Sequence, residues 1–141
     1  MHTSISSVRR AQDREPKCRG IARVKELLAR GVNIVTSQDD VNHPYYPFGK
    51  PDPLECAEMI AHVARLTLPH EIESVMDMIT ANSARAARVT DYGIVPGRRA
   101  DLLVVGAPSV YEALRTQPPR RHVFKDGREV ARSTLTQELL P

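Results

Sequence analysis

The sequence predicts an α/β layer fold followed by a small β appendage. In the first 90 residues, apolar positions recur at helical spacing in several stretches, around a single β-branched run at Val32-Asn33-Ile34-Val35-Thr36. After residue 90 that period gives way to short apolar runs broken by Gly93, Pro96, Gly97 and an Asp126-Gly127 pair. A helix, a strand, a long loop and more helices, with short strands behind them, is the order of one piece of a layered fold.

Each element has a local reason. Residues 1–19 are polar and irregular, with Ile5 to Val8 as a short strand at most. Ile21, Val24, Leu27 and Leu28 define a helix, and Gly31 stands where a glycine closes one. Val32 to Thr36 reads as a strand that runs into Ser37-Gln38-Asp39-Asp40. Pro44, Pro47, Gly49 and Pro51 force a loop over 42–51. Asp52 is a good N-cap, with Pro53 at the first helical position and Glu55 placed as a capping-box acid. The helix it starts runs to about Leu66 and buries Leu54, Ala57, Ile60, Ala61 and Ala64. A second helix after Pro69 carries Ile72, Val75, Met76 and Ile79 on one face, and a third begins after Asn82 or Ser83 and ends near Val89. Beyond it, Ala100 to Val105 reads as a buried strand and Val110 to Leu114 as a short helix. His122 to Lys125 and Arg128 to Ala131 flank Asp126-Gly127 as a type I′ hairpin, ahead of a frayed tail.

Composition removes several function classes. The chain has 141 residues, too few for a complete (β/α)₈ barrel of about 250. Hydrophobic residues at 41% and charged residues at 26% are globular values. Aromatics at 4%, with no Trp, argue against a base-stacking nucleic-acid platform. Net charge is +3, but an acidic stretch over 31–83 (two Lys/Arg against eight Asp/Glu) separates basic flanks, unlike a nucleic-acid stripe. The longest apolar run, Leu102 to Val105, is far short of a bilayer span, and residues 1–20 hold no signal-peptide core. Cys18 and Cys56 are too far apart for CxxC chemistry and read as free thiols in a reducing cytoplasm.

The chemistry-bearing candidates converge on one strand end. Asp39 and Asp40 follow the predicted strand at its C-terminal end, where parallel α/β folds place ligands and catalysis. Adjacent carboxylates point in different directions, so they serve either as metal ligand or general base with separate partners, or as a solvated turn with an Asx cap. The following loop, His43-Pro44-Tyr45-Tyr46-Pro47-Phe48-Gly49, holds half of the six aromatics. It either walls a planar substrate or covers an edge of the fold. His2, His43, His62, His70 and His122 form no HxH, HxxxH or HExxH pattern, and no GxSxG, Walker A or GxGxxG motif is present.

Several segments, in matching order and spacing, carry a family resemblance. They are Arg19 to Leu28, Gly31 to Val35, Gln38-Asp39-Asp40-Val41, Pro44 to Gly49, Asp91-Tyr92-Gly93-Ile94, Pro96 to Val105 and the hairpin over 122–131. Together they resemble the cytosine deaminase branch of the amidohydrolase superfamily over residues 17 to 132. The resemblance implies a (β/α)₈ (TIM) barrel with a β-sandwich built from both chain ends. A divalent metal, zinc or iron, activates water there, and a C–N bond of a pyrimidine or related ring is hydrolysed. Residues 1–90 are then the C-terminal part of the barrel, with Val32 to Thr36 its last strand, and residues 91–141 are the sandwich segment and tail. Asp39 matches the family aspartate that binds the metal and shuttles the proton of the attacking water. Asp40 matches a position that helps hold the substrate ring, and Tyr45 one where those enzymes often place an aromatic. The position before the Asp pair, often His or Ser in those enzymes, is Gln38.

The family's HxH, its later metal-binding histidine and its HxxE glutamate have no counterpart here. A single carboxylate does not hold a catalytic metal. The expectation is therefore the C-terminal portion of a deaminase-like hydrolase that neither binds the metal nor turns over alone. An incomplete barrel exposes strand edges, which predicts self-association or a complementary N-terminal chain. The substrate expected for the complete enzyme is a small nucleobase-like molecule, with no membrane or nucleic-acid partner. The alternatives are one chain of a split enzyme, or a non-enzymatic remnant whose basic flanks bind an anionic partner.

Overall fold

A computed structural model describes residues 2–4, 21–39, 41–42 and 47–140. The chain divides into two compact units, Met1–Val89 and Thr90–Pro141. The expected strand over Ile5 to Val8, the thiol of Cys18 and most of the aromatic loop lie outside the described residues.

Unit 1 opens with strand β1 (His2–Ser4), which pairs in parallel with β2 (Val35–Ser37) in the register His2 with Val35 and Ser4 with Ser37. A parallel pair requires a crossover, and helix α1 (Val24–Ala29) lies on it. The end of α1 is a complete Schellman motif. Gly31 has a φ of 72°, its N–H donates to Leu28 O at 2.8 Å, and the Val32 N–H donates to Leu27 O at 3.0 Å. This motif shortens the strand that was expected from Val32, because the Val32 N–H closes the helix instead of joining a ladder. Asn33 is diverted too. Its Nδ2 donates to Asn82 O at 3.0 Å, Asn82 Nδ2 returns to Ile34 O at 3.0 Å, and Arg85 Nη1 reaches Asn33 Oδ1 at 3.0 Å.

Helix α2 (Pro53–Val63) starts as expected, with Asp52 Oδ1 accepting from the Leu54 N–H at 3.0 Å. Glu55 does not form the expected capping box, and pairs with Lys50 at 3.8 Å instead. The reciprocal acid appears one helix later. At the start of α3 (Pro69–Ile79), Glu71 Oε2 accepts from the N–H groups of Thr67 and Leu68, each at 2.9 Å, while Glu71 Oε1 meets Lys25 Nζ at 2.7 Å. Lys25, with those two amides, holds the Glu71 carboxyl below its ordinary range. Helix α4 (Ala81–Ala86) begins earlier than expected, because no Asn82 or Ser83 cap forms. Ser83 Oγ donates back to Met78 O at 2.7 Å, and Asn82 is tied to Ile34.

Helix α2 packs on α3 and on β2, and both α3 and α4 also contact β2. The core between them is Ile34, Leu54, Cys56, Ala57, Ile60, Leu66, Val75 and Met78, with Val24 from α1 also buried. Cys56 and Met78 join the expected core, whereas Ala61 and Ala64 are only half-buried. Both α2 and α4 end in Schellman motifs that place an arginine, Arg65 (φ 56°) and Arg88 (φ 58°), in the left-handed region.

Unit 2 is an antiparallel sheet in the order β3 (Leu102–Val105), β4 (Arg120–Lys125), β5 (Arg128–Arg132), with helix α5 (Val110–Thr116) between β3 and β4 in sequence. Asp126 (φ 49°) and Gly127 (φ 74°) both occupy the left-handed region, as a type I′ turn requires. Asp101 braces that turn by accepting the Asp126 N–H at 2.9 Å and pairing with Lys125. Ser109 caps α5 by accepting the Glu112 N–H at 3.2 Å. The expectation of a buried strand over 100–105 fails. Leu103 and Val104 are 48% and 45% exposed. One seven-residue helix and three short strands offer too few layers to bury both faces of a sheet.

Candidate active site

The end of β2 is where unit 1 concentrates chemistry. Along the chain into that end, Ile34, Thr36 and Gln38 are buried, and Val35 and Ser37 between them are half-buried. This alternation puts the buried row on the side of the helices that contact β2 and turns the intervening residues the other way. Asp39 is the next residue, exposed, with a φ of 68°. A left-handed aspartate is unusual but tolerated, and it turns the chain sharply out of the strand.

Under Asp39, the strand end and the first turn of α2 are tied together. Cys56 Sγ donates to Gln38 Oε1 at 3.2 Å. Burial, then the neighbouring charges of Glu55 and Asp52, push the Cys56 thiol up to about 11, so it keeps its proton and remains a donor. The other end of the Gln38 carboxamide, Nε2, is buried and has no hydrogen-bond partner among the described residues. An orphaned buried donor costs about 1–3 kcal/mol. Glu55 Oε2 is likewise buried without a hydrogen bond among the described residues, and it lies at 3.8 Å from Lys50 Nζ.

Of the expected site residues, Asp39 lies among the described residues. Asp40 and Tyr45 lie outside the described residues, as does His43. Phe48 is 79% exposed. His62 sits on α2 beside Glu58 at 3.7 Å, His70 is exposed at the start of α3, and His122 belongs to unit 2, where its Nδ1 meets Glu129 Oε1 at 2.6 Å. Among the described residues, no three His, Cys, Asp or Glu side chains form a group able to hold a metal ion. Asp39 is thus one prospective ligand rather than a metal centre. A cavity of about 600 Å³ in unit 2, lined by Gly106, Pro118, Arg121, His122 and Arg132 among others, includes none of the expected site residues. Nothing in the sequence flagged the Gln38–Cys56 pair except the unusual glutamine itself. Cys56 falls beside the helical apolar pattern and reads as ordinary packing.

A sequence profile of the amidohydrolase family matches residues 4–131. The chain belongs to the amidohydrolase family. Enzymes of this family are generally metal-dependent. Two characterised amidohydrolase relatives are each 30% identical: N-isopropylammelide isopropyl amidohydrolase of Pseudomonas sp. (strain ADP), over 113 residues, and pterin deaminase of Rhizobium rhizogenes, over 121 residues. These matches cover 79% and 85% of this chain but only 28% and 27% of the relatives. Among solved structures, 5-methylcytosine deaminase from Klebsiella pneumoniae liganded with 5-fluorocytosine is similar at a TM-score of 0.89 and 29% identity. It matches 99% of this amidohydrolase chain, which spans 35% of that one. N-isopropylammelide isopropylaminohydrolase from Burkholderia multivorans is similar at a TM-score of 0.78 and 33% identity, over 83% of this chain and 30% of its own. This amidohydrolase chain is therefore α/β with a small antiparallel sheet, and it spans roughly a third or less of each relative. No described helix is long and apolar enough to cross a membrane.

Proposed function

We propose that this chain is the C-terminal portion of a cytosine deaminase-like, metal-dependent hydrolase acting on a C–N bond of a pyrimidine or related ring. Residues 1–90 supply the last part of the (β/α)₈ barrel and residues 91–141 its β-sandwich segment. The observation that carries this reading is the match of 99% of the chain to 35% of a 5-methylcytosine deaminase, with Asp39 at the C-terminal end of its strand.

In this reading Asp39 is the carboxylate that takes the proton of the attacking water and returns it to the departing nitrogen. Its exposed place just past the strand end suits that task. Asp40 and Tyr45 hold the ring, one by hydrogen bonding and one by stacking. The metal of the complete enzyme, zinc or iron, polarises water when bound. Among the described residues no group of three ligating side chains accompanies Asp39, so in this reading Asp39 is one ligand of a set that other residues complete. The free, buried Cys56 thiol suits a reducing, cytoplasmic setting.

The test is complementation. The purified chain is assayed for ammonia release from cytosine, 5-methylcytosine and pterin, alone and together with the N-terminal two-thirds of a deaminase relative. The chain alone is expected to be inactive and the pair active. Asp39→Asn in the pair is expected to lower turnover about 10²–10⁴-fold, the usual worth of a general base. Turnover by the isolated chain, or a pair indifferent to Asp39→Asn, would overturn the reading. Requirement for a natural partner chain would appear as co-purification of a protein carrying an HxH motif.

A further inference from the structure

We infer that Gln38 is a positioning residue, which Cys56 clasps to α2 so that Asp39 leaves the strand in its left-handed conformation. The inference rests on the reading of Asp39 as the working carboxylate, and it names the part of this chain that aims that group.

Gln38 continues the buried row Ile34, Thr36, Gln38, while Asp39 is exposed. Of these three residues, Gln38 makes its side-chain bond across 18 positions to the neighbouring helix. That bond joins the end of β2 to the first turns of α2, because Cys56 stands just after the Asp52 cap. With the carboxamide held at Oε1, Gln38 is restrained against α2, and Gln38 is the residue from which Asp39 departs. Aspartate tolerates a φ of 68° at some cost, so its surroundings bias whether it stays there. Packing alone does not account for a carboxamide here. Its Nε2 is buried without a partner among the described residues, and a leucine of similar size fills such a site without that cost.

The clasp is tested by NMR on the 141-residue chain. A positive φ at Asp39 gives a strong intraresidue amide-to-Hα NOE and displaced Cα and Cβ shifts. Gln38→Leu, which keeps bulk and removes the acceptor, is expected to abolish that signature while the rest of the spectrum stays folded. Cys56→Val, which removes only the donor, is expected to do the same. Cys56→Ser, which keeps a donor, is expected to retain the signature. Persistence of the left-handed signature in a folded Gln38→Leu chain overturns the inference. Its persistence in Cys56→Val does so as well, and that variant decides the matter if Gln38→Leu does not fold. The readout does not depend on turnover. If Asp39 moves with Gln38, yet the complemented enzyme is indifferent to Asp39→Asn, the clasp stands and the proposed function falls.

Discussion

The two units of this chain solve the same problem differently. Unit 1 covers a strand with helices and buries large side chains outright, among them Ile34, Leu66, Val75 and Met78. Unit 2 buries only Ala113 and Leu114 among its described apolar residues and leaves Leu103, Val104, Tyr111 and Val130 exposed. It relies instead on a tight turn and on ion pairs: Arg99 with Asp91, Arg115 with Glu112, Lys125 with Asp101, and Arg132 and His122 with Glu129. Exposed pairs of this kind are each worth about 1 kcal/mol or less. Burial should therefore dominate the stability of unit 1, and backbone geometry and charge that of unit 2.

Substitutions can break this contrast. The largest effect is expected from Ile34→Ala, which empties a fully buried site and should cost about 2–5 kcal/mol in a urea melt. Gly127→Ala, at a φ of 74° in the hairpin turn, should cost about 1–2 kcal/mol, read from the loss of hairpin NOEs. Arg65→Gly should stabilise unit 1 by about 0.5–1 kcal/mol, since it relieves a left-handed arginine at the end of α2. Leu103→Ala should change stability by about 0.5 kcal/mol or less, because that side chain is half exposed already. If Leu103→Ala costs as much as Ile34→Ala, the contrast between the units is wrong.

The pH scale sharpens the same contrast with smaller effects. Glu129 is held down at about 2, first by Arg132 and then by His122. Its ordinary value is 4.5, so its contribution is complete above that pH and is lost as pH falls toward 2. Asp101 and Glu112 are lowered in the same direction by Lys125 and Arg115, whereas among the described residues of unit 1 only Glu71 is so lowered. Acid should therefore loosen unit 2 first, and Glu129→Gln should flatten its acid titration. Cys56 titrates the other way. Its folded value of about 11 exceeds its ordinary 9.0, so unit 1 keeps full stability below pH 9 and loses some between 9 and 11. A circular-dichroism titration of wild type against Cys56→Ala measures that alkaline loss.

Much of this architecture is legible in the sequence where local chemistry acts alone. Asp52-Pro53 announces the start of α2, Gly31 the end of α1, and Asp126-Gly127 the hairpin, because each is a backbone requirement met by particular residue types. The misreadings occur where a competing bond, near or far in the chain, overrides the local preference. Asn82 looks like a helix cap but is bound to Ile34, Val32 looks like a strand residue but closes a helix, and Glu55 looks like a capping-box acid but turns to Lys50. Two arginines at helix ends carry no signal of the left-handed backbone they adopt. At the candidate site, Asp39 is visible from its place after a β-branched run. The Gln38–Cys56 bond is not, because it joins residues 18 apart, and no local pattern links a glutamine at a strand end to a cysteine within a helix.

The pairing pattern also sets an order of events in time. The β4–β5 turn brings Lys125 to Arg128 across two residues, a closure that a hairpin completes in about 1–10 μs. The β1–β2 pair brings His2 to Val35 only after the whole intervening crossover has been gathered in, and such non-local pairing is slow. A ribosome makes β1 before β2 and the hairpin after both, so β1 waits through the synthesis of the crossover for its partner, while the hairpin is ordered almost as soon as it emerges.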